Sequence, residues 1–296
     1  MHSTLSNDPD VIARIAWSAI AEPGDRVAGA LIAEHGAEEA LDILRSGAYA
    51  SDNADLASLR DRALPRLNST KLETIAAVAN RFGATVITPG HEHWPTRLND
   101  LGDFAPTLLW VRGNSALLAN QEQIALVGAR AATGYGEHVT MEISAGLADR
   151  GYTVTSGAAY GVDGYAHRAA LASRGSTIAY LAGGVDRYYP SGHDALLNRI
   201  AEQGAVVSEV PCGTAPTKWR FLQRNRLIAA ASHATVVLEA GWRSGALNTA
   251  GHAAAIGRPL GAVPGPTTSA ASAGCHRLIR EFNATLVTNV DEVLEL

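Results

Sequence analysis

The stretch KWRFLQRNR, Lys218 to Arg226, sets four cations and two aromatic rings within nine residues. Phosphates call for cations and unpaired bases call for flat apolar platforms. Lys and Arg interleaved with Trp219 and Phe221 are therefore the side chains a single-stranded polynucleotide would meet. The competing reading is a solvated helix entry with a buried Trp and Phe. Between Glu209 and Glu281 the only acid is Glu239, against Lys218, Arg220, Arg224, Arg226, Arg243, Arg258, Arg277 and Arg280. Eight bases less one acid make +7 for this segment, leaving −12 for the rest of a chain whose formal charge is −5. A local basic zone on an acidic body is the electrostatic footprint of a polyanion groove.

A second set of candidates lies in glycine turns. Ile124–Val127 is a short apolar run that breaks into GARAATGYG, and Tyr152–Ser156 opens into Gly157 to Gly161. Glycine in such turns lets backbone N–H groups approach an anion, and the helix that follows adds a favourable dipole. The spacing is neither G-x-G-x-x-G nor G-x-x-x-x-G-K-[ST], so tight turns without a ligand are an equal reading. Asp163, Asp186, Glu209 and Glu239 follow strands and could act as acid or base, or hold ribose hydroxyls. Helix capping and pairing with Arg are the commoner roles of such residues. His167, one turn after Asp163, reads as a hydrogen-bonded structural histidine. There is no nucleophile elbow, no H-E-x-x-H and no Cys–His pairing. No catalytic constellation, metal or cofactor is expected.

These candidates need a scaffold. Strands are expected at Ile124–Val127, Tyr152–Ser156, Thr177–Leu181, Ala205–Val210, Ala234–Leu238, Leu260–Val263 and Thr285–Val287, with helices beginning near Tyr135, Val162, His193, Arg224, Ala246 and Gly274. Strands spaced by helices of this length imply an α/β, doubly wound, mostly parallel sheet. Its loops after the strands form a glycine-lined rim at the carboxyl edge, where open sheets take ligands. Residues 69–83 give one more helix, and Ala84–Thr88 and Leu108–Val111 are lead-in strands. Residues 1–68 read as short helices around a Pro23-Gly24-Asp25 turn, similar to a SAM or helix-hairpin-helix module. Glu22, Asp25, Glu34, Glu38 and Glu39 make that turn acidic, which favours packing over DNA contact. The boundaries expected are 1–68 and 69–296, with a core at 124–296.

At 296 residues with 47% hydrophobic and 18% charged content, the chain can bury a sizeable core. Cys212 and Cys275 are far apart and suggest neither disulfide nor zinc. The segment MHSTLSNDPD carries no secretory signal and no apolar run reaches the ~20 residues of a membrane span. A soluble cytoplasmic protein is expected.

With these motifs in hand, the chain resembles the DNA-processing protein A (DprA/Smf) family. The resemblance rests on VGARAATGYG at 127–136, SGAAYGVDGYAH at 156–167, GGVDRYYP at 183–190 and SEVPCGTAP at 208–216, followed by RNRLIAAAS at 224–232, EAGWRSGALNTA at 239–250 and GRPLGAVPG at 257–265. It implies an extended Rossmann-like domain and a non-enzymatic, homodimeric, cytoplasmic protein of natural transformation. Such a protein binds single-stranded DNA, protects incoming strands and loads the RecA recombinase on them. By motif, the resemblance implies a DNA pocket lined by Arg130, Ser156, Gly157, Gly161, Lys218 and Phe221, with Arg224, Asn225 and Arg226 beside it. Arg243, Ser244 and Gly245 are placed there by their loop.

The chain departs from the family at three points. Ala129 stands where many relatives have Ser, Leu222 follows Phe221 where Pro is usual, and no C-terminal winged-helix domain is expected. Residues near Leu278–Leu286 are the dimer interface the resemblance suggests. The alternative is a nucleoside monophosphate phosphoribohydrolase of the LOG type, although Glu239–Gly245 lacks that group's P-G-G-x-G-T motif.

Overall fold

The computed structural model describes residues 8–296. Residues 1–7, which include most of the segment read for a secretory signal, lie outside the described residues. The chain opens with four helices, α1 (Pro9–Ile20), α2 (Arg26–His35), α3 (Ala37–Ser46) and α4 (Ala54–Ser69). Asp8, Asp25 and Asn53 cap α1, α2 and α4 through their side chains, satisfying N–H groups that a helix start leaves free. Trp17, Leu41, Leu44 and Leu59 fill the core between these helices, and the Trp17 indole donates to the carbonyl of Ala37 at 3.0 Å.

A nine-stranded sheet follows. Its strands are β1 (Ala84–Ile87), β2 (Leu109–Gly113), β3 (Gln123–Val127), β4 (Thr153–Ser156), β5 (Thr177–Leu181), β6 (Ala205–Ser208), β7 (Ala234–Val237), β8 (Leu260–Ala262) and β9 (Thr285–Leu286). The spatial order is β1-β2-β6-β5-β4-β3-β7-β8-β9. The β1–β2 and β2–β6 pairings are antiparallel and the other pairings are parallel, so this is the α/β, mostly parallel, doubly wound sheet that the spacing of the apolar runs implied. The chain moves outward from β3 to β6, then crosses back to lay β7 on the other side of β3. That reversal fixes the place of the site.

The interleaved helices are α5 (Leu72–Arg81), α6 (Gly134–Asp149), α7 (Val162–Ala172), α8 (Asp194–Gln203), α9 (Lys218–Ala231), α10 (Ala246–Ala255), α11 (Ala273–Glu281) and α12 (Val290–Leu294). Successive strand residues face opposite sides. Ile124 and Leu126 pack with Ile143 and Leu147 of α6, whereas Ala125 and Val127 pack with Leu227 and Ile228 of α9.

The helical segment is docked on this sheet rather than tethered to it. Ile15 of α1 lies in the same buried cluster as Trp110 of β2 and Leu197 of α8. The Pro23-Gly24-Asp25 turn lies against α9: a Cβ on Gly24 would come within 2.5 Å of the Gln223 side chain. Asp25 caps α2 and pairs with Arg62 at 2.9 Å, while Glu22 pairs with Arg66 at 3.0 Å and Arg220 at 3.2 Å. The acidic turn packs on protein.

His167, buried on α7, takes a structural role. The hydroxyl of Thr177 donates to the carbonyl of Val154 at 2.7 Å, so it can only accept from His167 Nδ1 at 2.7 Å. Nδ1 therefore carries the hydrogen, and the buried Nε2 meets no partner. Burial, with His193, Arg224 and Arg168 nearby, lowers the pKa from 6.5 to about 3. The unfolded chain then binds a proton that the native state refuses, so stability is full above pH 6.5 and is lost as pH falls toward 3. Between pH 7.5 and 5 the loss from this group is about 2 kcal/mol. Urea unfolding of wild type and His167→Gln at both pH values should show a difference of that size; equal losses would clear His167 of the role.

Candidate nucleic-acid interface

A cleft of about 640 Å³ opens beyond the carboxyl ends of β3 and β7, where the strand order reverses. Its walls are the glycine loop after β3, the loop after β7 and the first half of α9. Hydrogen bonds stitch the loops together. Ala129 N–H donates to Glu239 O at 2.7 Å and Val162 N–H donates to Ala129 O at 3.1 Å. Gly161 sits at φ 74°, and a Cβ there would lie 2.2 Å from the Ala129 carbonyl, so only glycine lets the second loop approach the first this closely.

The wall formed by α9 begins earlier than the sequence suggested. Pro216 ends the preceding loop and the Thr217 side chain accepts from Arg220 N–H, so the helix starts at Lys218 rather than near Arg224. The interleaved cations and rings are thereby distributed around a helix. Phe221, Arg224 and Asn225, three and four residues apart, face the cleft together. Lys218, one turn earlier and exposed, stands outside the cleft lining.

Phe221 is the centre of the arrangement. The Arg130 guanidinium lies 5.4 Å from its ring centroid and that of Arg224 lies 5.8 Å away. The Tyr189 ring, tilted by 59°, is 5.3 Å away. A half-buried ring with two cations on it supplies both a surface for a base and charge for its phosphate. Tyr189 was not singled out in the sequence, although it belongs to the GGVDRYYP motif.

Arg224 is buried and held. Its Nη1 donates to the Gly157 carbonyl at 2.6 Å and to that of Tyr180, and its Nε donates to Asn225 Oδ1 at 3.2 Å. A Cβ on Gly157 would come within 2.5 Å of the guanidinium. Burial lowers the Arg224 pKa to about 10, opposed by Asp163 and assisted by Arg130, so the group is still a cation at neutral pH. Burial pushes Asp163 up, against the pull of Arg224 and of the backbone at Ala159 and Gly157. The Arg224 guanidinium, fixed in this way, supports the Phe221 ring.

Arg243, exposed, lines the opposite wall with Ser244 and Gly245. Ser244 Oγ accepts from Ala246 N–H at 3.3 Å, and Asn225 Nδ2 donates to Asn248 Oδ1 at 3.0 Å. Besides Lys218, four expected contacts lie elsewhere: Gly157 and Gly161 pack against Arg224 and the first glycine loop outside the cleft lining, and Ser156 and Arg226 are buried. Ser156 is fully buried with its hydroxyl donating to Leu126 O at 2.6 Å. Arg226 is buried in a two-pronged pair with Glu209, both contacts 2.7 Å, and donates to Phe104 O at 2.9 Å. Neither lines the cleft.

The basic zone is also smaller than its count of bases. Arg220 is paired with Glu22, Arg226 with Glu209, Arg258 with Asp100 and Arg277 with Glu281. Among the described residues, Arg130, Lys218 and Arg243 make no ion pair.

The start of α6, the resting place for an anion that the glycine loop suggested, is occupied. The buried Glu239 carboxylate accepts from Thr133 N–H at 2.8 Å and from the Thr133 hydroxyl at 2.6 Å. A carboxylate from β7's own loop satisfies the helix start in place of a phosphate.

A model of the DNA recombination-mediator protein A family matches residues 85–296. The chain belongs to that family. The family match begins in β1 and spans the sheet, α9 and the loops that wall the cleft. Relatives include the DNA processing protein DprA of Mycobacterium tuberculosis, 45% identical over 303 residues, covering 97% of this chain and 75% of that one. Protein Smf of Escherichia coli is 41% identical over 211 residues, covering 71% and 56%. The crystal structure of DNA processing protein A from Streptococcus pneumoniae superposes with a TM-score of 0.77 at 29% identity, over 98% of both chains, helical segment included. A Helicobacter pylori family structure described for its single-stranded DNA binding mode gives 0.66 at 28% identity, over 72% of this chain and 95% of that one.

Proposed function

We propose that this protein is a single-stranded DNA-binding recombination mediator, and that the cleft at the β3/β7 reversal holds the strand. The observation that carries the reading is the convergence of Arg130 and Arg224 on the Phe221 ring at the wall of an open, glycine-lined cleft. Stacking on a ring demands an unstacked base, which a duplex does not present, and cations over the ring hold the adjoining phosphate without reading sequence. Arg130, Lys218 and Arg243 supply phosphate neutralisation and Phe221 the platform, while Gly157 and Gly161 let Arg224 and the glycine loops pack closely beneath them. Ser156, Arg224, Asn225 and Arg226 hold this frame.

Family membership extends the reading to natural transformation: a cytoplasmic homodimer that protects incoming single strands and loads RecA on them. Among the described residues no helix is long and apolar enough to cross a membrane. The engagement of Glu239 by Thr133 favours binding over hydrolysis of nucleoside monophosphates, because this acid is buried and already paired.

Competition between fluorescent single- and double-stranded oligonucleotides of one sequence, at two salt concentrations, tests the reading. Single strands are expected to win at both. Equal affinity, or preference for duplex, would remove the stacking role from Phe221.

A further inference from the structure

Beyond the cleft the loop after β7 carries a second aromatic platform. Arg243 lines the cleft, and the adjoining Trp242 points out of it with 56% of its surface exposed. The Arg277 guanidinium of α11 lies 4.8 Å from the Trp242 ring centroid. The Phe282 ring centroid lies 5.3 Å from the same guanidinium, and Glu281 holds the Arg277 Nε at 2.8 Å. Arg277 is thus held by two rings and a carboxylate. Arg280, one turn along α11, is exposed in the single chain and makes no ion pair among the described residues. It and Phe282 fall in the Leu278–Leu286 stretch suggested for the dimer, whereas Trp242 and Arg277 lie outside it. Three arginines against one glutamate leave the patch positive, beside a large indole open to solvent.

We propose that Trp242, backed by Arg277, is a second stacking site for single-stranded DNA, reached by a strand that leaves the cleft past Arg243. The inference rests on the reading of the cleft given above. Two features select a nucleic acid as occupant. The platform is continuous with the cleft, because one five-residue loop, Gly241 to Gly245, builds both. Its charge has the sign of the cleft's, and a cation behind an indole suits a base followed by a phosphate. Bases of every kind have a flat face, so the site would extend the footprint without adding sequence preference.

The test uses the full chain and two oligonucleotides, of about 4 and about 16 nucleotides, spanning the usual range of single-strand site sizes. Trp242→Ala should weaken the longer one roughly tenfold and leave the shorter unchanged. Trp242→Phe should restore most of that loss, and Phe221→Ala should weaken both lengths. Wild-type affinity of Trp242→Ala for both lengths overturns the proposal, whatever Phe221→Ala does. A loss with Trp242→Ala but none with Phe221→Ala keeps the platform and discards the cleft. Sedimentation of the same samples separates the remaining occupant. A loss that appears only where Trp242→Ala splits a dimer makes the patch a contact between two copies, and the proposal fails.

Discussion

Arg226→Ala is expected to destabilise the fold by about 3–5 kcal/mol, because it leaves the Glu209 carboxylate uncompensated in a buried position. The two side chains are 3% and 12% exposed, so water can do little for the survivor. Arg226 also donates to the carbonyls of Phe104 and Gln223, joining the segment ahead of β2 to α9. Replacing both partners together, as Arg226→Met with Glu209→Leu, should recover most of the loss, since an apolar pair of similar volume carries no desolvation penalty. Urea unfolding of the three proteins decides it. At temperatures where Arg226→Ala is still folded, its affinity for single strands should change little. A large loss of affinity with unchanged stability would return Arg226 to the DNA surface.

Phe221→Ala has the second largest expected effect, on binding instead of stability. Base–aromatic stacking is worth about 1–3 kcal/mol per base, or roughly 5- to 150-fold in affinity. The ring also gives Arg130 and Arg224 a common surface, so its loss frees Arg130 to wander as well. The ring is only half-buried, so the fold should survive. Phe221→Tyr should keep near wild-type affinity, and fluorescence anisotropy on a short homopolymer measures both. If Phe221→Ala binds as well as wild type, the cations act alone and the strand lies elsewhere on the rim.

The parallel core was legible because each strand is a short apolar run ended by glycine or small residues. The structure places Thr177–Leu181 with the expected bounds and the other core strands within two residues of theirs. The site was legible as a set of loops, since parallel strands must bring their carboxyl ends to one edge. What the sequence could not supply was partnership at long range. Arg220 meets Glu22 across 198 residues and Arg258 meets Asp100 across 158, so a local count of charge overstated the basic zone.

The start of α9 was missed for a different reason. Lys218 to Arg226 shows no apolar stripe, and the usable signal was the Pro216-Thr217 pair that caps the helix. Extended, those residues would alternate cation and ring on opposite sides; coiled, they divide into a cleft face and a face against the helical segment. Glu239 reaching the α6 start from a loop 106 residues away is a contact that glycine spacing cannot announce.

The most direct test of the phosphate-holding rim is the salt dependence of binding for wild type, Arg130→Ala and Lys218→Ala. A plot of log K against log salt concentration should be shallower by about 0.7 for each variant, the release of counterions from one single-strand phosphate. The affinity loss should be the same for oligonucleotides of any sequence. Slopes and affinities unchanged in both variants would contradict the account, because the strand would then be neutralised by cations other than the unpaired Arg130 and Lys218.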